Sequence, residues 1–139
     1  MKVIGGTLIA LALLISIVPM FTDCESQGRS LTLANGREIP MKCHWTGLAE
    51  LAMAAPLLVV GALMTTSKRT ESLRNMNVMA VVAGIAVILL STTLIGVCAN
   101  PDMRCNAVMR PALILMGSLV VALGVVGALQ ALRRKEEAA

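Results

Sequence analysis

The sequence predicts an all-α integral membrane protein, a four-transmembrane-helix bundle built of two similar hairpins with a disulfide-stapled extracytoplasmic cap. Three observations predict this fold. The chain has 139 residues, of which 57% are hydrophobic and only 14% are charged, a composition that ordinary soluble domains do not show. Four long apolar runs divide the chain, and each is close to the roughly 20 residues that cross a bilayer as a helix. Each run also carries one cysteine, always at the same end.

The apolar runs give the predicted helices in order. Backbone groups in lipid must satisfy their own hydrogen bonds, and the runs lack the alternation of barrel strands, so helices are expected. The first run has no Ala-x-Ala-like cleavage site after it, so we expect it to remain as a span. A single domain over residues 1–139 is predicted, with outer loops at 23–45 and 99–106. The spans are predicted at about 3–22, 46–67, 76–98 and 107–132.

The basic residues predict the orientation of the bundle. Seven basic and three acidic residues flank the helix ends opposite the cysteines, whereas five of each flank the cysteine ends. We therefore expect a bacterial cytoplasmic-membrane protein with both termini in the cytoplasm and all cysteines outside. The net charge of +4 is then a topology signal, and we expect membrane lipid and no nucleic acid as a partner. The seven basic residues are Lys2, Lys68, Arg69, Arg74, Arg133, Arg134 and Lys135.

The two outer loops resemble each other. Each begins with a cysteine and ends with a proline, then a methionine, a basic residue and a second cysteine, at residues 40–43 and 101–105. A proline also follows in each re-entering helix, at Pro56 and Pro111. This pattern predicts that the two hairpins are related by a repeat about an axis along the membrane normal.

The four cysteines predict disulfides, because an even number of extracytoplasmic cysteines normally pairs. Short loops make sequential helices neighbours, so we expect the local pairs Cys24–Cys43 and Cys98–Cys105. An alternative is thiol-disulfide oxidoreductase chemistry. It is disfavoured because such proteins use a Cys-x-x-Cys pair to activate one thiol, and this chain has none.

A second alternative is an extracytoplasmic copper or haem site. The only histidine, His44, follows Cys43, and Met41, Met103 and Met109 lie at corresponding ends of the two hairpins. Thioether and imidazole ligands suit Cu(I), and a His/Met pair suits haem. Against this, methionine commonly fills apolar cores, and the chain has only one Trp and one Phe to line a haem pocket.

Two charged residues are predicted to lie inside the bilayer. Glu50 falls in the second span and Arg110 in the fourth, each one to two turns below the cysteines. A charge at that depth seeks a partner in the bundle interior. We therefore predict an intramembrane ion pair between Glu50 and Arg110.

The segment from Met41 to Thr46, which reads Met-Lys-Cys-His-Trp-Thr, resembles the hallmark of an uncharacterised family of small bacterial four-span membrane proteins. Cys98 and the segment 101–105 are similar to its second hallmark. The resemblance supplies no activity, but it implies an association with ABC transporters of the macrolide-export type. We therefore expect a non-enzymatic accessory subunit, without a cofactor of its own, that partners a transporter permease. The metal or haem protein and the oxidoreductase remain the alternatives.

Overall fold

A computed structural model describes residues 2–25 and 28–137, with side chains up to residue 133. Four helices, α1 to α4, account for most of this part of the chain. They cover Lys2–Thr22, Lys42–Thr66, Thr70–Leu89 and Arg110–Glu137. Arg134 and Lys135, which entered the charge count above, lie outside the described side chains. All four helices are long and apolar enough to cross a membrane.

The helices pack as two hairpins. α1 packs mainly on α2, and α3 mainly on α4, while contacts between the two hairpins are fewer. Glycines permit the close approach inside each hairpin. A Cβ at Gly61 would lie 3.1 Å from the carbonyl oxygen of Gly5, and one at Gly84 would lie 2.9 Å from that of Gly117. The four helices are therefore paired as two hairpins, α1 with α2 and α3 with α4.

Two π-helical turns, at Leu90–Leu94 and Cys105–Met109, adjoin α3 and α4 at the cysteine end of the bundle. Pro111 gives a local reason for the second turn. It has no N–H to donate to the carbonyl four residues earlier, and its ring crowds that carbonyl, so this point in the chain favours a wider turn. The Arg110 N–H bonds instead to the carbonyl of Cys105, five residues back. The wider turn extends the fourth span to begin at Cys105.

A small β-hairpin lies in the loop between α1 and α2. Strand β1, Leu31–Thr32, pairs antiparallel with β2, Glu38–Ile39, and both strands are exposed. The turn between them contains Gly36 at φ 77°, a conformation that favours glycine. α2 then begins at Lys42, whereas the apolar run predicted a span that starts at about residue 46. The earlier start brings Cys43 into the first turn of a helix.

Small and apolar side chains fill the bundle interior, and large apolar side chains cover its outside. Trp45 and Phe21 are 56% and 73% exposed, as expected for residues at a membrane interface. Four buried residues in the described part of the chain are polar: Thr46, Glu50, Asn77 and Ser91. On α2 the buried face runs from Cys43 through Thr46 and Glu50 towards the opposite end.

A four-thiol cluster at one end of the bundle

Each helix end at one side of the bundle contributes one cysteine to a single cluster. Cys24 follows the last turn of α1, and its carbonyl accepts a hydrogen bond from the N–H of Arg29. Cys43 is the second residue of α2, and Cys105 begins the π-helical turn that leads into α4. Cys98 lies in the loop after α3, beyond Gly96, whose φ of 72° turns the chain back across the bundle.

The four sulfur atoms all lie within 4.8 Å of one another. The Sγ atom of Cys24 is 2.7 Å from that of Cys43, 3.4 Å from that of Cys105 and 3.8 Å from that of Cys98. The Cys43 and Cys98 sulfurs are 3.2 Å apart. Cys24, Cys43 and Cys105 are buried, whereas Cys98 is half-buried. The cluster is therefore closed on three sides and reachable at Cys98.

The local pairing expected from the sequence, Cys24–Cys43 and Cys98–Cys105, is not present. All four cysteines are free thiols, and the shortest of these separations is well above the roughly 2.05 Å of a disulfide. The local pairing would have closed each loop on itself as a separate unit. In the structure the four helix ends surround one axis, so each sulfur has neighbours from both hairpins.

A hydrogen bond between the hairpins fixes the helix ends just below the cluster. The hydroxyl of Thr46 on α2 donates to the carbonyl of Gly96, in the loop that carries Cys98, at 2.5 Å. Thr46 is fully buried, so this bond is shielded from water. It holds the loop of the second hairpin against the first turn of α2 and thereby positions Cys98 beside Cys43.

The surroundings of the cluster act on its sulfurs in opposite ways, because helix ends stabilise negative charge while burial disfavours it. Cys43 and Cys105 lie in first helical turns, where unpaired N–H groups and the helix dipole stabilise anions. Burial raises the pKa of the Cys24 thiol far above its ordinary value. Burial also acts to raise the pKa of Cys98, but hydrogen bonds from the other three thiols outweigh it and lower that pKa below its ordinary value.

One methionine, Met41, lies beside the thiols, whereas His44 contacts two acidic side chains. The Met41 sulfur is 4.0 Å from the Cys98 sulfur. Met109 is buried in the same apolar core as the cysteines, and Met103 packs against that core. The Nδ1 atom of His44 instead lies 2.5 Å from a carboxylate oxygen of Glu25 and 3.5 Å from one of Asp23. The described contacts thus place His44 with Asp23 and Glu25, and Met41 with Cys98.

The predicted ion pair between Glu50 and Arg110 is also absent. Glu50 is completely buried, and neither of its carboxylate oxygens has a hydrogen-bond partner among the described residues. Arg110 is exposed on the outside of the bundle. Matching depth in the sequence did not fix which face of α4 carries the arginine, because the π-helical turn before it changes the angular register of the helix.

The comparisons with known proteins assign the chain to a family but indicate no function for it. The family model described as "Domain of unknown function (DUF4418)" matches residues 3–130. The chain belongs to the DUF4418 family. This membership agrees with the resemblance to an uncharacterised family. No curated protein and no solved structure matches the chain. The match covers all four thiols and nearly all of the four spans, so the cluster lies inside the part of the chain that matches the family.

Proposed function

We propose that the protein is a membrane metal-binding protein whose four cysteines hold one thiophilic ion, Zn²⁺ or Cu(I), at the cysteine end of the bundle. One observation carries the proposal: four sulfurs, each from a different helix end, converge within 4.8 Å. A multi-iron cluster would spread its cysteine ligands over separate iron atoms, so this tight set fits a single ion better. Four thiolates are also the ligand set that suits soft or borderline metals.

The distances support a single ion. A tetrahedral Zn²⁺ site with Zn–S bonds of about 2.3 Å has sulfur–sulfur edges of about 3.8 Å. The Cys24–Cys98 separation is 3.8 Å and the Cys24–Cys105 separation is 3.4 Å. The Cys24–Cys43 separation of 2.7 Å would have to widen by about 1 Å, which rotation of the side chain at the loop residue Cys24 supplies.

The surroundings of the cluster also support metal binding. Four thiolates around Zn²⁺ leave two excess negative charges, which are costly to bury without compensation. The start of α2 supplies partial positive charge to Cys43, and the start of the π-helical turn at Cys105–Met109 supplies it to Cys105. Lys42 and Arg104, both exposed, precede these two cysteines in the chain and add positive charge nearby.

Metal content tests the proposal. Tag-free full-length protein, purified from membranes in detergent under reducing conditions, is analysed for elements by mass spectrometry. We expect about one equivalent of Zn or Cu, and its loss in Cys43→Ser and Cys98→Ser. Ala99→Ser is the matched control, because it adds a serine to the same exposed loop beside Cys98 and should retain the metal. Protein that has four titratable thiols and takes up neither ion on reconstitution would refute the proposal.

The orientation remains part of the proposal, with the cysteine end outside the cell and both termini in the cytoplasm. The charge distribution described above supports it. In a background with all four cysteines replaced by serine, a membrane-impermeant maleimide added to whole cells should label Asn35→Cys in the exposed β-hairpin turn. It should leave Thr70→Cys, at the start of α3, unlabelled until the cells are lysed. The reverse labelling pattern would place the thiols in the cytoplasm.

A second candidate function is thiol-disulfide exchange, favoured by the short separation of the Cys24 and Cys43 sulfurs. Their two thiols would reduce the disulfide of a partner protein to two thiols and become joined by a disulfide themselves, so that two electrons and two protons are transferred. Non-reducing peptide mapping separates the candidates. A stable Cys24–Cys43 crosslink in metal-free native protein, with Cys98 and Cys105 free, would support exchange.

The role as a non-enzymatic accessory subunit of an ABC-type transporter also remains a proposal. Its support is the large apolar surface of the helices, which is available to lipid or to the helices of a permease. Mass spectrometry of proteins that co-purify from the native membrane tests it. Recovery of this protein without a transporter permease, under conditions that preserve other membrane complexes, would argue against it.

A further inference from the structure

A second group of side chains that could hold a metal ion lies on the outside of the same helix ends. Asp23 and Glu25 flank Cys24 in the chain, and His44 follows Cys43. Because neighbouring residues in these turns point in different directions, the cysteines face the bundle axis while the other three face away from it. The His44 Nδ1 atom and one oxygen from each carboxylate lie within 4.8 Å of one another. Asp23 and His44 are only 15% and 26% exposed, whereas Glu25 is 60% exposed.

We infer that Asp23, Glu25 and His44 form a second site, which binds a divalent cation of the Zn²⁺ class. The donors are one imidazole nitrogen and two carboxylate oxygens, which suit a borderline divalent ion and are poor ligands for Cu(I). Bonds of about 2.0–2.2 Å to Zn²⁺ place such donor atoms roughly 3.3 Å apart in a tetrahedron. The observed separations of 2.5 Å and 3.5 Å from His44 bracket that value.

The three-ligand site differs from the thiol cluster in how it would hold an ion. Three protein ligands leave a fourth position open for water, as in catalytic zinc sites, whereas four protein ligands close a site. The three side chains also lie at one end of a cleft of about 350 Å³ between α1 and α2, whose walls include Pro19 and Leu51. The open side of this cleft gives an ion or its water access to the site.

The ligands of the two sites lie in the same two short segments, residues 23–25 and 43–44. Each proposed ligand of the outer site is therefore the chain neighbour of a cysteine in the thiol cluster. If the thiol cluster binds metal as proposed above, an ion that arrives from solvent binds first at the outer site and then moves to the thiols. Zn²⁺ fits both donor sets without a change of oxidation state, whereas copper would have to be reduced between them. This step rests on the proposed function, while the existence of the outer site does not.

Zinc stoichiometry tests the outer site. Tag-free full-length protein in detergent is stripped with a chelator, reduced, and titrated with Zn²⁺ alone by equilibrium dialysis. We expect two equivalents for the unaltered chain and one for the variant with all four cysteines changed to serine. In that background His44→Ala and Glu25→Gln should each weaken zinc binding at least tenfold. Asp102→Asn is the charge-matched control, because Asp102 is exposed at the same end of the bundle and outside the group.

A second experiment uses Co²⁺ and protein that keeps all four cysteines. It remains informative even if the four-serine variant does not fold. Co²⁺ bound by thiolates gives near-ultraviolet charge-transfer bands, whereas Co²⁺ bound by nitrogen and oxygen does not. His44→Ala should therefore lose one equivalent of Co²⁺ and keep the thiolate bands. Unchanged stoichiometry in His44→Ala would overturn the outer site and leave the thiol site intact. Absent thiolate bands with one His44-dependent equivalent would instead overturn the proposed function alone.

Discussion

Cys98 differs from the other three cysteines in being within reach of solvent, and its chemistry should differ accordingly. Its thiol is half-buried and has a lowered pKa, whereas the buried Cys24 thiol has a raised one. The thiolate is the nucleophile in alkylation. Cys98 should therefore react first with a small maleimide in metal-free protein. Because its pKa is lowered, its rate should reach half its maximum at a lower pH than that of an unfolded thiol.

Peptide mapping after timed alkylation between pH 6 and pH 9 checks this order. Protein unfolded in denaturant is the control, in which all four thiols should react alike. Earlier labelling of Cys24, or a midpoint for Cys98 that matches the unfolded protein, would contradict the hydrogen-bond arrangement of the cluster.

Glu50 gives a second prediction at this scale. Its buried carboxylate has no hydrogen-bond partner among the described residues, and leaving such a polar group unsatisfied costs about 1–3 kcal/mol. Glu50→Met, which keeps the volume and removes the polar atoms, should therefore raise the free energy of unfolding by about that amount. Arg110→Gln should change it by less than about 0.5 kcal/mol, because Arg110 is exposed and pairs with no described acidic side chain.

Unfolding in mixed detergent measures both variants, and their effects should add in the double variant. A marked loss of stability in Glu50→Met would mean that the carboxyl group has a bound partner, such as a cation or a proton-linked ligand, in the native membrane. If Arg110→Gln recovered that loss in the double variant, the result would support the Glu50–Arg110 ion pair that the sequence predicted.

The helices were predictable from the sequence, but their ends were not. Apolar runs report the residues that lie in hydrocarbon, and polar first turns such as Lys42 to Trp45 fall outside that signal. The π-helical turn at Cys105–Met109 depends on how Pro111 is accommodated, which composition does not encode. The small β-hairpin did leave a signal in Asn35-Gly36, a pair typical of tight hairpin turns. Its strands are too short to show the usual alternation.

The contact between α3 and α4 yields a prediction at the scale of the element. A Cβ at Gly84 would lie 2.9 Å from the backbone oxygen of Gly117, whereas a Cβ at Gly6 meets nothing within 4 Å. Alanine normally favours a helix over glycine by about 0.8–1.0 kcal/mol. Gly6→Ala should therefore be neutral or slightly stabilising. Gly84→Ala should destabilise the bundle by about 1–3 kcal/mol, because the helices must move apart.

The two glycine variants are a matched pair, since each adds one methyl group to a helix interior. Equal stabilities for both, measured by thermal unfolding in the same detergent, would mean that α3 and α4 do not approach each other at Gly84.

For the whole molecule, the sequence predicted where the cysteines would lie but not how they would combine. One cysteine per helix end was enough to assign all four to one side of the bundle. To predict their convergence, one would have to know that the ends of both hairpins surround one axis. The sequence of neither loop contains that information. Asp23, Glu25 and His44 were missed as a group because each was read alone, although their positions beside Cys24 and Cys43 were visible in the chain.

The last prediction concerns how the cluster connects the two hairpins. Cys24 and Cys43 belong to the first hairpin, and Cys98 and Cys105 to the second. One ion bound by all four would therefore join two hairpins that contact each other less than their own helices do. A ligand that binds only the folded state adds about 4 kcal/mol at a concentration 1,000 times its Kd. Zn²⁺ should therefore raise the Tm of the reduced protein, and a chelator should reverse the rise.

Two variants show whether that stabilisation comes from the cluster. Cys98→Ser removes one ligand and should lose most of the Zn²⁺-dependent rise in Tm while changing the metal-free Tm little, because the residue is half-buried. Gly84→Ala should lower the Tm with and without Zn²⁺ by similar amounts, since effects at distant sites add. If Zn²⁺ raises the Tm equally in Cys98→Ser, the ion stabilises the bundle from elsewhere. His44 with Asp23 and Glu25 would then be the first place to look, and His44→Ala should abolish the rise.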